Sequence, residues 1–145
     1  MDRGGATGYL KQQVELSLRH LKLERIDLIQ LHRGIVDMVS VQNLYNLTNR
    51  QSQDVLDYCT AEGIAFIPRF PIATGDLATP DSPVADIAGE LNASPSQIAL
   101  AWLLQASPVV LPIPGTKSVE HLTENMGAVQ LRLSPEDVAR LEALA

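Results

Sequence analysis

Leu10, Val14, Leu18 and Leu21 recur at steps of four, four and three, which puts them on one face of a helix predicted over residues 9–23. Ile26 to His32 is then a short apolar run, the pattern of a strand buried on both faces of a parallel sheet, and Met38 to Leu44 is a second. Val55, Leu56 and Cys59 return to helical spacing between Ser52 and Glu62, and Gly63 stands where a helix stop belongs. Ala65 to Phe70 predicts a third strand and Val109 to Ile113 a fourth. Three Ser-Pro pairs, Ser82-Pro83, Ser94-Pro95 and Ser134-Pro135, each fit a capping serine followed by proline in the first helical position. They predict helices over 83–91, 95–105 and 135–144, and a further helix is predicted over 119–129. Gln97 and Asp137 lie three residues after their serines, the spacing of a capping box or its acidic variant.

Helical and extended segments alternate, so the fold class is α/β with about four mainly parallel strands and about six helices. No repeat, low-complexity tract or linker divides the chain, and residues 1–145 read as a single domain. One spacing is abnormal. A parallel crossover needs a dozen or more residues, yet only Arg33 to Asp37 separate the first two apolar runs, a reach of at most ~17 Å. Those runs form one long or kinked strand, pair antiparallel, or lie apart in a fold rearranged around a missing module.

The 145 residues suit one domain and fall short of the ~250 typical of a closed eight-stranded α/β barrel. With 46% hydrophobic and only 4% aromatic residues the core must be aliphatic. Eleven basic against seventeen acidic residues, a net charge of −6, oppose nucleic-acid binding. The one cysteine, Cys59, cannot close an internal disulfide, which suits a reducing compartment. Neither a secretory h-region nor an apolar run approaching ~20 residues occurs, so the expectation is a cytoplasmic protein with no membrane partner. No His, Cys or Asp cluster has metal-ligand spacing, and Gly-x-Ser-x-Gly, Walker and Gly-x-Gly-x-x-Gly motifs are lacking.

Larger stretches resemble a known family. Tyr9 to Arg33, with Val14-Glu15-Leu16-Ser17-Leu18-Arg19 and Arg25-Ile26-Asp27-Leu28-Ile29-Gln30-Leu31-His32-Arg33, is similar to a helix and the fourth strand of an aldo-keto reductase barrel. Val39 to Ala145 is similar to the last three barrel strands and their helices. The most specific stretch is Leu111-Pro112-Ile113-Pro114-Gly115-Thr116-Lys117-Ser118, followed by His121 and Glu124-Asn125. The resemblance implies an incomplete (β/α) TIM-type barrel and NADP-dependent reduction of aldehydes or ketones. It also implies departures. Of the family's Asp, Tyr, Lys and His tetrad only the histidine has a counterpart, His32. Arg33 to Ile35 replaces a helix, the fifth strand and a further helix, the place where spacing alone exposes a missing crossover.

Thr116-Lys117-Ser118 offers two hydroxyls and an ammonium at a helix start, a set able to hold a phosphate dianion; the plainer reading is a Gly-Thr loop with Ser118 as cap. By the resemblance these three hold the 2′-phosphate of NADP, while Glu124 and Asn125 reach the adenine and His121 replaces an arginine that stacks on it. Gln42 matches a strand glutamine that contacts the nicotinamide amide. Phe70 to Leu77 resembles a loop around the pyrophosphate, in which Gly75 permits close backbone approach and Leu77 closes the stretch. Arg69 stands where the family has an aromatic stacked on the nicotinamide. Tyr45 and Tyr58 are the tyrosines that could replace the absent acid, although packing explains both, and Trp102 reads as core. A chain built this way is expected to be catalytically impaired alone. The alternatives are a noncatalytic NADP-binding or interaction fragment, and a subunit completed by another chain, since open edges invite a homodimer or a complementing partner.

Overall fold

Serine hydroxyls open the helices. In this computed structural model, which describes residues 12, 14–20, 22, 28–31, 38–72, 79 and 82–144, the Ser82, Ser94 and Ser134 side chains accept from Ala85, Gln97 and Asp137 N–H respectively. Each proline follows in the first turn, where no N–H is needed. The reciprocal bonds of both capping boxes form, Ser94 N–H donating to Gln97 Oε1 at 2.9 Å and Ser134 N–H to Asp137 Oδ2 at 2.9 Å.

The helices are α1 (residues 14–20, the described part of the 9–23 prediction), α2 (Gln53–Glu62), α3 (Pro83–Glu90), α4 (Pro95–Ala106), α5 (Val119–Gly127) and α6 (Pro135–Glu142). A short 3-10 turn, Ala128–Gln130, continues α5. Gly63 ends α2 at φ 68°, the left-handed conformation expected of a glycine stop.

Strands β1 (Leu28–Leu31), β2 (Met38–Leu44) and β3 (Ala65–Arg69) form one sheet in that order. β2 and β3 run parallel, with Val41 opposite Phe66 and Gln42 opposite Ile67. β1 pairs antiparallel with β2, Ile29 opposite Val41, with a shift of register between Ile29 and Leu31. Of the arrangements open to the two closely spaced runs, the antiparallel one is adopted, because it needs no crossover.

The predicted fourth strand is reduced to a bridge. Phe66 N–H donates to Val109 O and Leu111 N–H to Phe66 O, both at 2.8 Å, which sets Val110 parallel to Phe66. Pro112 and Pro114 lack the N–H groups a longer ladder requires.

One face of the sheet carries the core. Val41 and Phe66 meet Val55, Leu56 and Cys59 of α2, Ile98, Trp102 and Leu103 of α4, Val84 and Ile87 of α3, and Leu141 of α6. Period-two alternation sends Gln42 and Leu44 to the other face, where they are half-buried. Two glutamines fasten α4 to the chain that follows it. Gln97 Nε2 donates to Glu124 O at 2.8 Å, and Gln105 exchanges two bonds with the backbone of Leu133, at 2.8 and 3.2 Å.

Candidate functional site

Since β2, β3 and the 109–111 segment are parallel, the loops leaving their C-terminal ends share one rim, the end at which α/β barrels place their chemistry. Three loops leave that rim: the turn after Tyr45, the segment after Arg69, and Ile113 to Ser118.

The third loop is organised by its own hydroxyls. Ser118 N–H donates to Thr116 Oγ1 at 3.1 Å, and His121 N–H donates to Ser118 Oγ at 3.3 Å, so Ser118 caps α5. Both hydroxyl hydrogens remain available as donors. Thr116 and Lys117 are exposed, Ser118 is half-buried, and the three line an open depression of about 470 Å³ with Ile113 to Gly115, Val119 and Leu122. Apart from His121 N–H, which donates to Ser118 Oγ, the leading N–H groups in the first turn of α5 have no acceptor within the helix, which gives this end partial positive charge. Glu120, also in that turn, opposes an anion.

His121 is exposed one turn into α5, and Glu124 and Asn125 are half-buried a turn further, on the side against α4. The fold thus brings Thr116, Lys117, Ser118, His121, Glu124 and Asn125 onto one loop and helix. Gln42 lies apart, in the middle of the sheet between Leu28 and Ile67. His32, Gly75 and Leu77 lie outside the described residues.

The other two loops are joined by a residue that sequence reasoning missed. Asn46 is buried, donates Nδ2 to Phe70 O at 3.0 Å, and accepts from both Thr48 N–H and Thr48 hydroxyl at 3.1 Å. Phe70 is held at φ 56°, a costly conformation for a bulky residue, doubly so before Pro71. Its ring is half in solvent, with the Arg69 guanidinium 5.4 Å from its centre. The Asn-Leu-Thr-Asn composition after β2 signalled a turn but not this tether.

Tyr45 is a core residue. It is 1% exposed, stacks on Trp102, and donates its hydroxyl to Gln53 Oε1 at 2.6 Å. Burial pushes its pKa above the usual tyrosine value, and the nearby Arg50 charge only partly opposes this. A phenol held neutral and covered is poorly placed to protonate a substrate. Tyr58 is half-buried against the same core. Among the described residues no three His, Cys, Asp or Glu side chains gather as metal ligands, and no helix is long and apolar enough to cross a membrane.

Two parallel strands and a parallel bridge, covered by helices and with a hydroxyl and lysine loop ahead of the last of them, define an α/β fold of the barrel type. The family assignment follows from comparison: residues 33–145 match the aldo/keto reductase family, and the chain belongs to that family. It is 40% identical to an uncharacterized oxidoreductase of Schizosaccharomyces pombe, covering 95% of this chain and 58% of the relative. It is 42% identical to pyridoxine 4-dehydrogenase of Escherichia coli, over 88% of this chain and 45% of that protein. The chain thus spans about half the length of these relatives. The alignment with the fission-yeast protein runs to 178 positions, whereas 95% of 145 residues is about 138, so about forty of those positions are gaps.

Solved structures agree. A thermostable aldo-keto reductase crystallised with the inhibitor epalrestat superposes with a TM-score of 0.68 at 30% identity, over 78% of this chain and 42% of that one. An aldo/keto reductase of Klebsiella pneumoniae, crystallised with NADP and acetate, superposes with a TM-score of 0.67 at 28% identity, over 74% and 39%.

Proposed function

We propose that this chain is the NADP-holding part of an aldo/keto reductase acting on aldehydes or ketones, and that the 145-residue chain alone is catalytically impaired. The observation that carries the cofactor reading is the loop Thr116-Lys117-Ser118 at the start of α5. Two hydroxyl donors, an exposed ammonium and the first-turn N–H groups suit a phosphate dianion, and the depression beside them has room for it. The Klebsiella relative, solved with NADP, supports the choice of nucleotide.

In this reading Thr116, Lys117 and Ser118 grip the 2′-phosphate, and His121, Glu124 and Asn125 flank the adenine. Gln42 meets the nicotinamide amide, and Gly75 and Leu77 belong to the pyrophosphate loop. When bound, such a cofactor supplies a hydride. The protein must add a proton at the carbonyl oxygen, and here the chain falls short. Resemblance leaves only His32 of the tetrad, and Tyr45, covered and bonded to Gln53, does not replace the missing acid. Loss of a positioned acid commonly costs ~10²–10⁴-fold in rate, and more where residues act as a unit. A specific observation, the exposed apolar face of α5, favours a second reading in which another polypeptide completes the barrel.

Titration of the chain with NADP and NAD, before and after Lys117→Ala, tests the proposal. Because Lys117 is exposed and solvent-screened, its contact falls at the low end for a charge-assisted bond, ~1.5 kcal/mol or about tenfold in Kd for NADP only. Equal weakening of both nucleotides would refute the phosphate assignment. NADPH-dependent turnover of an aldehyde and ketone panel above background would refute catalytic impairment.

A further inference from the structure

A nucleotide held as proposed must cross β3. Gln42 stands on β2, paired to one side of β3, and the segment leading into Thr116 to Ser118 bonds to the other side of β3 through Phe66. Whatever spans the two places passes over the C-terminal end of β3, at Arg69 and Phe70, and the backbone there fixes how closely it lies. That backbone is in an uncommon state. Phe70 has φ 56°, left-handed for a bulky residue, and the proline after it favours an extended predecessor. Such a conformation persists only where the surroundings impose it.

One side chain reaches it. Asn46, in the turn after β2, donates Nδ2 to Phe70 O at 3.0 Å across 24 residues. Asn46 is itself fixed: it is 4% exposed, exchanges backbone bonds with Asn49 at 3.0 and 3.1 Å, and accepts at Oδ1 from the N–H and hydroxyl of Thr48, both at 3.1 Å. With Oδ1 committed to Thr48, Nδ2 has one direction left. The turn is closed by its bonds to Thr48 and Asn49 alone, so the bond to Phe70 does nothing for β2 and acts on the end of β3. Asparagine suits this task because it presents an acceptor and a donor on one short side chain, whereas an ionised aspartate offers acceptors only.

We propose that Asn46 is a positioning residue for the nucleotide. By holding Phe70 left-handed it directs the chain from Phe70 to Ile72 over the end of β3, and so seats the part of NADP beyond the adenosine; it touches neither the adenosine nor its 2′-phosphate. The inference rests on the reading of Thr116 to Ser118 as the nucleotide-phosphate loop.

The test is calorimetric titration of the chain with NADP and with adenosine 2′,5′-bisphosphate, a probe that carries the adenosine and the 2′-phosphate but no nicotinamide. Asn46→Asp keeps the acceptor for Thr48 and removes the donor to Phe70. It should weaken NADP about tenfold, the loss of one buried hydrogen bond, and change the bisphosphate by no more than about twofold. In a Phe70→Gly background the same change should cost NADP about threefold or less, because glycine adopts positive φ without a tether. Should Asn46→Asp not fold, Asn46→Ser, whose side chain is too short to reach Phe70 yet accepts from Thr48, takes its place with the same expected pattern. Thr48→Val, which breaks a bond of the turn and spares the one to Phe70, should leave both affinities as they are. Equal weakening of both ligands, no weakening of either, an undiminished cost in the glycine background, or a matching loss in Thr48→Val would overturn the inference and leave the phosphate loop standing. A chain that binds neither ligand before any substitution would instead refute the nucleotide reading, and the inference with it.

Discussion

Raising the pH from 9 to 11 should destabilise this protein through one thiol. Cys59 is fully covered in the core, between α2 and the sheet, and burial pushes its pKa from 9.0 up to about 11. The folded value lies above the unfolded one, so the thiol's contribution is fully present below pH 9. It is lost as pH rises from there to about 11, where both states are ionised. Two pH units correspond to about 2–3 kcal/mol, a sizeable share of the ~5–15 kcal/mol that holds a typical domain. Tyr45, whose pKa is also raised, adds loss in the same direction. Urea melts at intervals from pH 8 to 11 would follow the loss. The Cys59→Ala variant should be less stable at pH 8 but show a shallower decline, so the gap between the two proteins narrows with pH. The growing negative charge destabilises both alike and cancels in that difference. Parallel declines in the two proteins would refute the reasoning.

Gly127→Ala sets helix propensity against a clash. A Cβ there would lie 2.6 Å from Gln97 Nε2, a group already committed to Glu124 O, so we expect a net loss of about 1 kcal/mol in chemical denaturation. The same change in a Gln97→Ala background should be neutral or stabilising, and unchanged cost there would sink the explanation. Asp137→Asn should cost about 1 kcal/mol near neutrality by weakening the α6 cap. Bonds from the Ser134 hydroxyl and N–H hold the Asp137 carboxyl below its ordinary pKa, so its contribution is present above about pH 4 and lost as pH falls through the lowered value. Acid melts of the two proteins should therefore converge, and a constant gap would contradict the assignment.

Features decided within a few residues were legible in the sequence. The Ser-Pro caps, the Ser94 and Gln97 box and the Gly63 stop all form as expected, because each needs only the geometry of one helix end. The fourth strand was overestimated, since β-branched residues at Val109 and Val110 promise a ladder that Pro112 and Pro114 cannot continue. The pairing of β1 with β2 joins residues of consecutive strands, from Leu31 opposite Met38 to Leu28 opposite Gln42, and the spacing of Arg33 to Asp37 left it open among three arrangements. At the site, the local cluster from Thr116 to Asn125 assembles as its order along the chain dictates, whereas the tether from Asn46 to Phe70 joins residues 24 apart and left no local trace.

The chain has a single tryptophan, and its position makes it an optical gauge of one joint. Trp102 stacks on Tyr45 with ring centres 5.7 Å apart and planes 16° from parallel, and the Arg50 guanidinium sits 5.6 Å from its ring. Tyr45 in turn meets Phe66 edge to face. Strand β2, strand β3 and helix α4 therefore converge on one chromophore, with a cation close enough to tune its emission. Light emitted from Trp102 follows the seating of α4 on the sheet, and events confined to the outward face of α5 pass without changing it.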